Sequence, residues 1–105
     1  MGKFVKGDIV IVPFPFSDLS QSKRRPALVI THLRGEDIML CQITSQSIKD
    51  EYSISLLETD FQEGKLIKES NIRPNRIFTS SKNIILYKTA QIKERKMKEV
   101  IEKLI

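Results

Sequence analysis

Apolar residues come in short, β-branched clusters between Asp8 and Tyr87, and beyond Glu94 they change to helical spacing. Asp8-Ile9-Val10-Ile11-Val12-Pro13 is bounded by Gly7 and by prolines, and it is too short and too β-branched for a helix. It reads as a buried strand. Pro13-Phe14-Pro15-Phe16 can neither be helical nor pair as a central strand, so it is expected to leave the sheet. Ser17 to Arg24 reads as a polar loop, and Pro26 to Thr31 as a second strand opened by its proline. Gly35-Glu36-Asp37 makes the turn into a third strand, Ile38 to Ser45. Tyr52-Ser53-Ile54-Ser55-Leu56 alternates as a half-exposed strand does. Gly64 is expected to open a short strand at Lys65-Leu66-Ile67-Lys68. Asn71 to Ser81 is mixed, and Asn83-Ile84-Ile85-Leu86-Tyr87 closes the β region. Met97, Val100, Ile101 and Leu104 then fall at i, i+3, i+4 and i+7, the apolar stripe of one helix starting near Lys93-Glu94. Short strands with proline- and glycine-rich turns predict a mainly β, compact and strongly bent barrel, with the terminal helix sealing an open end.

Composition narrows the class. A chain of 105 residues, 40% apolar and 30% charged, is expected to form a single folded domain over 1–105. No apolar run approaches the roughly 20 residues of a membrane span, and the first residues lack a secretory pattern. Cys41 and His32 are the only residues of their kinds. That excludes an intrachain disulfide and a Cys/His zinc site, and it fits a reducing cytoplasm. The net charge is +5. Through Ser81 there are 11 Lys/Arg against 10 Asp/Glu, and from Lys82 onward 7 against 3, so the basic excess lies at the end of the chain. Such a balance permits nucleic-acid binding without demonstrating it.

Lys23-Arg24-Arg25-Pro26 carries the most distinctive chemistry. Proline biases the preceding residue towards extended backbone, so Arg25 is offered from the rim of a sheet. Its planar, permanently charged fork suits a phosphate. Arg24 and Arg25 alternate, so one of them faces a given groove while the other is a solvated cation. Thr44, followed by Ser45 and Gln46, ends the third strand, where a β-branched residue also serves packing alone. Phe14 and Phe16 suit either base stacking or a core plug beneath the loop. His32 lies about 20 Å from Arg25 along an extended strand, too far to be its general base. Cys41 reads as a buried strand residue, and Asp50, Glu51, Glu58, Asp60 and Glu63 read as solvated loop surface.

Gly7-Asp8-Ile9-Val10, Arg25-Pro26-Ala27-Leu28-Val29-Ile30 and Gln42-Ile43-Thr44-Ser45-Gln46 occur in that order. Together they resemble the MazF/PemK growth-inhibitor toxins of bacterial toxin–antitoxin systems, and the resemblance runs nearly end to end. It implies a small barrel of the Src-homology-three kind, the fold of the CcdB/MazF/PemK toxins. It also implies a homodimer that cleaves single-stranded RNA, including mRNA, at specific sequences without a metal or cofactor, and so stops translation and growth. A cognate antitoxin with an acidic, disordered tail would lie along the RNA groove. Carried over by motif, the catalytic arginine falls on Arg25 and the catalytic threonine on Thr44. Lys23, Arg24, Ser45, Gln46, Phe16, Lys68 and Ser70 are the implied RNA-binding neighbours. Ser70 stands where the family expects an acidic residue, a departure that bears on proton transfer. Two other readings remain: a gyrase poison on the related CcdB-type barrel, and an RNA-binding barrel without catalysis.

Overall fold

The computed structural model describes residues 4–15, 22–32, 35–45, 52–66 and 70–104. Seven strands form one antiparallel sheet: β1 (Asp8–Pro15), β2 (Ser22–His32), β3 (Asp37–Thr44), β4 (Ile54–Leu56), β5 (Phe61–Gly64), β6 (Ser70–Ser81) and β7 (Tyr87–Ile92). Their order across the sheet is β4-β6-β3-β2-β1-β7-β5. One helix, α1 (Glu94–Leu104), follows. The mainly β architecture with a single terminal helix agrees with the pattern of apolar positions.

Both faces of this curled sheet bury apolar side chains. Ile9, Leu28, Ile30, Cys41, Ile43 and Ile72 line the inner face, where Met97 and Val100 of α1 pack upon them. The helical stripe read from the sequence is therefore the core-facing stripe. Val10, Val12, Ala27, Val29, Ile38 and Leu40 alternate to the outer face and are joined there by Ile85, Phe4 and Phe78. Two-sided burial explains why β1 and β2 read as unbroken β-branched runs.

Prolines sit inside strands, against expectation. β1 continues to Pro15, paired with Ser22 of β2. This is possible because its pairing with β7 ends at Ile11, so beyond that point one side of β1 needs no donor. Likewise β2 starts at Ser22 and not at Pro26, which makes Ser22–Arg24 strand and not loop. Pro26 pairs with Ile11 on the β1 side, while the β3 ladder stops at Ala27↔Gln42. Pro74 lies inside β6 at an irregularity, between the pairs Gln42↔Arg73 and Cys41↔Ile77. The mixed stretch is thus one long, bulged strand.

Two further boundaries move. Gly64 closes β5 and does not open a strand. Its φ is +70°, and a Cβ there would strike the Thr89 carbonyl and lie 2.9 Å from Ala90 Cα. Lys65 and Leu66 lie outside any strand, and Ile67 and Lys68 are outside the described residues. The run Asn83–Tyr87 is not the last strand either. Ser81 Oγ accepts the Asn83 N–H (3.2 Å) to cap a 3₁₀ turn at Lys82–Ile84, and β7 begins only at Tyr87. Ile85 is apolar because it packs on the outer face.

Two buried carboxylates, one on each side of the end of β7, pin the sheet there. Asp8, 1% exposed, accepts the Val5 N–H (2.9 Å) and Gln91 Nε2–H (3.1 Å), and lies 3.4 Å from Lys88 Nζ. Asp60, read from the sequence as solvated, is 3% exposed. It accepts the Leu57 N–H (2.7 Å) and pairs with Arg95 (3.2 Å) and Lys96 (3.4 Å) of α1, so it ties the helix to the β4–β5 connection. Burial opposes its ionisation. The Leu57 hydrogen bond and the Lys96 and Arg95 charges outweigh that penalty and hold the carboxyl below the ordinary aspartate range.

A depressed folded-state pKa contributes stability above the unfolded value, near 4, and loses it as pH falls through the folded value. Asp60→Asn should therefore cost about 1–2 kcal/mol at pH 7, because it removes one charged partner from the buried Lys96 and leaves it Glu99 (3.1 Å) alone. In urea unfolding the gap between the two proteins should narrow as pH falls from about 4 through the lower folded-state value. A gap that stays constant over that range would show that the carboxylate charge is not what holds the helix.

Candidate active site

Alternation sorts the residues at the open end of the β2–β3 ladder onto two faces. Arg25 shares its face with Ala27 and Val29, and Thr44 shares its face with Gln42 and Leu40. That is the outer face. Continued two residues in the same register, the pair Ala27↔Gln42 sets Arg25 across from Thr44. On its other side Thr44 pairs with Asn71, and Asn71 pairs with Ser55. A row of polar residues thus runs across Thr44, Asn71 and Ser55 on paired strands, with Arg25 beyond the end of the β2–β3 ladder on the same face. Gln42 and Arg73, paired with each other, stand one row behind. Arg25 is half-buried and Thr44 is 8% exposed.

The inner face opens at the same end into a cleft of about 380 Å³. Arg24, exposed, alternates to this side with Pro26 and Leu28. Ile11, Pro26 and Ile43 floor the cleft, Ser45 and Ser70 offer hydroxyls, and Lys65 and Tyr87 stand at its walls. Arg25 lines it as well, so Arg25 is the residue that the polar row and the cleft share. Among the described residues the charged groups lining it are all cations: Arg24, Arg25 and Lys65.

The residues singled out from the sequence fall into three groups. Arg25 and Thr44 alternate to the outer face at the same end of adjacent strands. Arg24, Ser45 and Ser70 come together in the inner cleft, with Ser70 buried at its edge. Phe16, Gln46 and Lys68 lie outside the described residues, and Lys23 is described only as a backbone position of β2. Asn71, Arg73, Lys65 and Tyr87 were missed. Asn71 and Arg73 flank the fully buried Ile72, and strict alternation about that residue would have turned both outward. Tyr87 was hidden by placing the last strand too early. His32 ends β2, at the opposite end of that strand from Arg25, in keeping with its exclusion as a base. Among the described residues no group of three or more His, Cys, Asp or Glu is placed to hold a metal ion. No helix among them is long and apolar enough to cross a membrane.

The class is a curled, helix-capped antiparallel β protein with a cationic site where one ladder ends. Residues 5–105 match the model of the PemK-like, MazF-like toxins of type II toxin–antitoxin systems, and the chain belongs to that family. It is the toxin component of such a system. Solved structures share the fold. One is an endoribonuclease in complex with its cognate antitoxin from a mycobacterial species (TM-score 0.77, 10% identity, covering 97% of this chain and 91% of that one). Another is the MazF of Deinococcus radiodurans (0.76, 19%, 99% and 94%). The Mycobacterium tuberculosis toxin MazF-mt6 is a third (0.72, 13%, 92% and 91%). At these identities the likeness speaks for the fold. No curated protein sequence matches the chain.

Cys41 lies beneath the site. Burial pushes its thiol up to about 12, and a hydrogen bond to the Arg73 carbonyl (2.9 Å) and the Arg73 charge only partly offset this. Its reactive thiolate is therefore scarce at neutral pH. In native protein at pH 8 Cys41 should resist a thiol-specific disulfide reagent for as long as the fold persists, and react at once in denaturant. Rapid labelling of the native protein would mean that the inner core opens locally.

Proposed function

We propose that this toxin is an endoribonuclease that cuts single-stranded RNA by attack of the RNA's own 2′-hydroxyl. The observation that carries this reading is the placement of Arg25 and Thr44 at one end and on one face of adjacent strands. In-line attack on phosphorus places extra negative charge on the non-bridging oxygens. A half-buried guanidinium donates two parallel N–H bonds to those oxygens, and it gains strength where water is excluded. The Thr44 hydroxyl donates to the same phosphate, and Asn71 bounds the row and orients the neighbouring ribose or phosphate. The 2′-oxygen bonds to phosphorus, the 5′-oxygen leaves with a proton, and the products are a 2′,3′-cyclic phosphate and a 5′-hydroxyl. With no histidine in the row, rate enhancement rests on charge stabilisation and orientation. In this reading no metal or cofactor enters the reaction.

The same proposal includes a homodimer and an inhibitory antitoxin with an acidic segment. Exposed apolar side chains at Ile77, Ile84 and Leu86 offer surface for a second copy. The all-cationic charge of the cleft favours an acidic polypeptide as well as RNA. Sequence specificity belongs to the same reading, since a cleft of fixed shape discriminates among bases.

Arg25→Ala should lower single-turnover cleavage of a mixed RNA in EDTA by about 10²–10³-fold, and Thr44→Ala by about 10²-fold, with unfolding midpoints near wild type. Product ends identified by mass should be cyclic phosphates. Growth arrest that survives Arg25→Ala at equal expression, or intact RNA alongside slowed gyrase turnover, would sink the nuclease reading.

A further inference from the structure

We infer that the inner cleft takes one unpaired nucleobase of the substrate RNA, stacked against Tyr87, beside the phosphate held at Arg25. This rests on the reading of RNA as the substrate, and it extends that reading to a site that the Arg25–Thr44 row does not contain. Tyr87 opens β7 and pairs with Ile11 of β1, whose side chain floors the cleft. Tyr87 is 49% exposed and lines the cleft, so its side chain is accessible to a ligand there. A cavity of about 380 Å³ accommodates a base with part of its ribose.

The lining has the chemistry that a flipped base requires. Ile11, Pro26 and Ile43 supply an apolar floor opposite the ring. Ser45, Ser70 and Thr89 supply hydroxyls that both donate and accept towards the base edge. Arg24 and Lys65 supply positive charge for the flanking phosphates, and the described lining contains no carboxylate to repel them. Because Arg25 belongs to both the cleft and the outer row, one nucleotide can place its phosphate on the row while its base enters the cleft. RNA held in this way turns over the free end of the β2–β3 ladder. That turn exposes the sugar–phosphate bond and brings the 2′-oxygen towards in-line geometry.

The chain contains two tyrosines and no tryptophan. Tyr52→Phe therefore leaves Tyr87 as its only strong ultraviolet emitter. The probe is a short, labelled 2′-O-methyl oligonucleotide of mixed sequence, whose blocked 2′-oxygens prevent cleavage, titrated with binding followed by anisotropy. Tyr87 emission should fall by half or more as the oligonucleotide saturates. Tyr87→Ala should weaken binding about tenfold, and Tyr87→Phe should restore it. Binding with unchanged Tyr87 emission, together with full affinity in Tyr87→Ala, overturns the base pocket and leaves the nuclease reading standing. No binding of the oligonucleotide by the wild-type protein overturns both.

Discussion

The β2–β3 ladder stops at Ala27↔Gln42, and the site depends on that stop. Pro26 has no N–H to give, so the ladder cannot run one residue further on the side facing β3. β1 still holds Arg24 and Arg25 in extended conformation through their pairs with Pro13 and Val12. The two arginines are thus fixed on one side and released on the other. Where a continuous sheet would have filled the space with backbone hydrogen bonds, there is a cleft bordered by Pro26, Ile43, Ser45 and Ser70. Proline here acts as a spacer that leaves room for a ligand while keeping the cations on a rigid strand, as a preorganised site requires.

Alternation then does what a loop could not. Arg24 and Arg25, adjacent in sequence, reach opposite faces of one sheet, so a single dipeptide serves the cleft and the polar row. The mixed character of Gln42-Ile43-Thr44-Ser45 follows from the same rule. Ile43 and Ser45 face inward, to the core and the cleft, while Gln42 and Thr44 face outward. A one-residue slip of β3 against β2 would exchange these sets and bury Gln42 in the helix-covered core. The long apolar runs on both faces prevent that slip. Register, and with it the site, is set by hydrophobic burial some distance from the chemistry.

Much of this was legible in the sequence where one physical signal acted alone. The β-branched runs of β1 and β2 and the 3.6-residue stripe of α1 appeared where the structure has them. Arg25 and Thr44 were singled out by their motifs, and both alternate to the outer face. Reading failed where a residue's role was set by a neighbour distant in sequence. Pro13 and Pro15 are tolerated in β1 because β7 ends its pairing at Ile11, a fact of sheet order that β1 does not encode. Asp60 looked like solvated surface because its partners, Arg95 and Lys96, come more than thirty residues later. The apolar run Ile84-Ile85-Leu86 resembled a strand, although Ile84 ends a capped 3₁₀ turn and β7 starts only after Leu86. That misplacement concealed Tyr87, and with it the wall of the cleft.

In the proposed reaction, Arg25 would be the point where binding and chemistry are coupled. A guanidinium that served the outer row alone would hold the phosphate with its sugar free to rotate, and the 2′-oxygen would seldom align with the leaving oxygen. One that served the cleft alone would bind a nucleotide without stabilising the charge that develops on phosphorus. Shared between them, it ties base capture to phosphate orientation, and binding energy from a part of the substrate that does not react can be used at the part that does. The same sharing would make the toxin easy to silence. An acidic segment laid across Arg24, Arg25 and Lys65 would occupy the cleft and neutralise the row in one contact. In that reading substrate and inhibitor would compete for one cation, on a strand whose ladder ends at the proline that follows it.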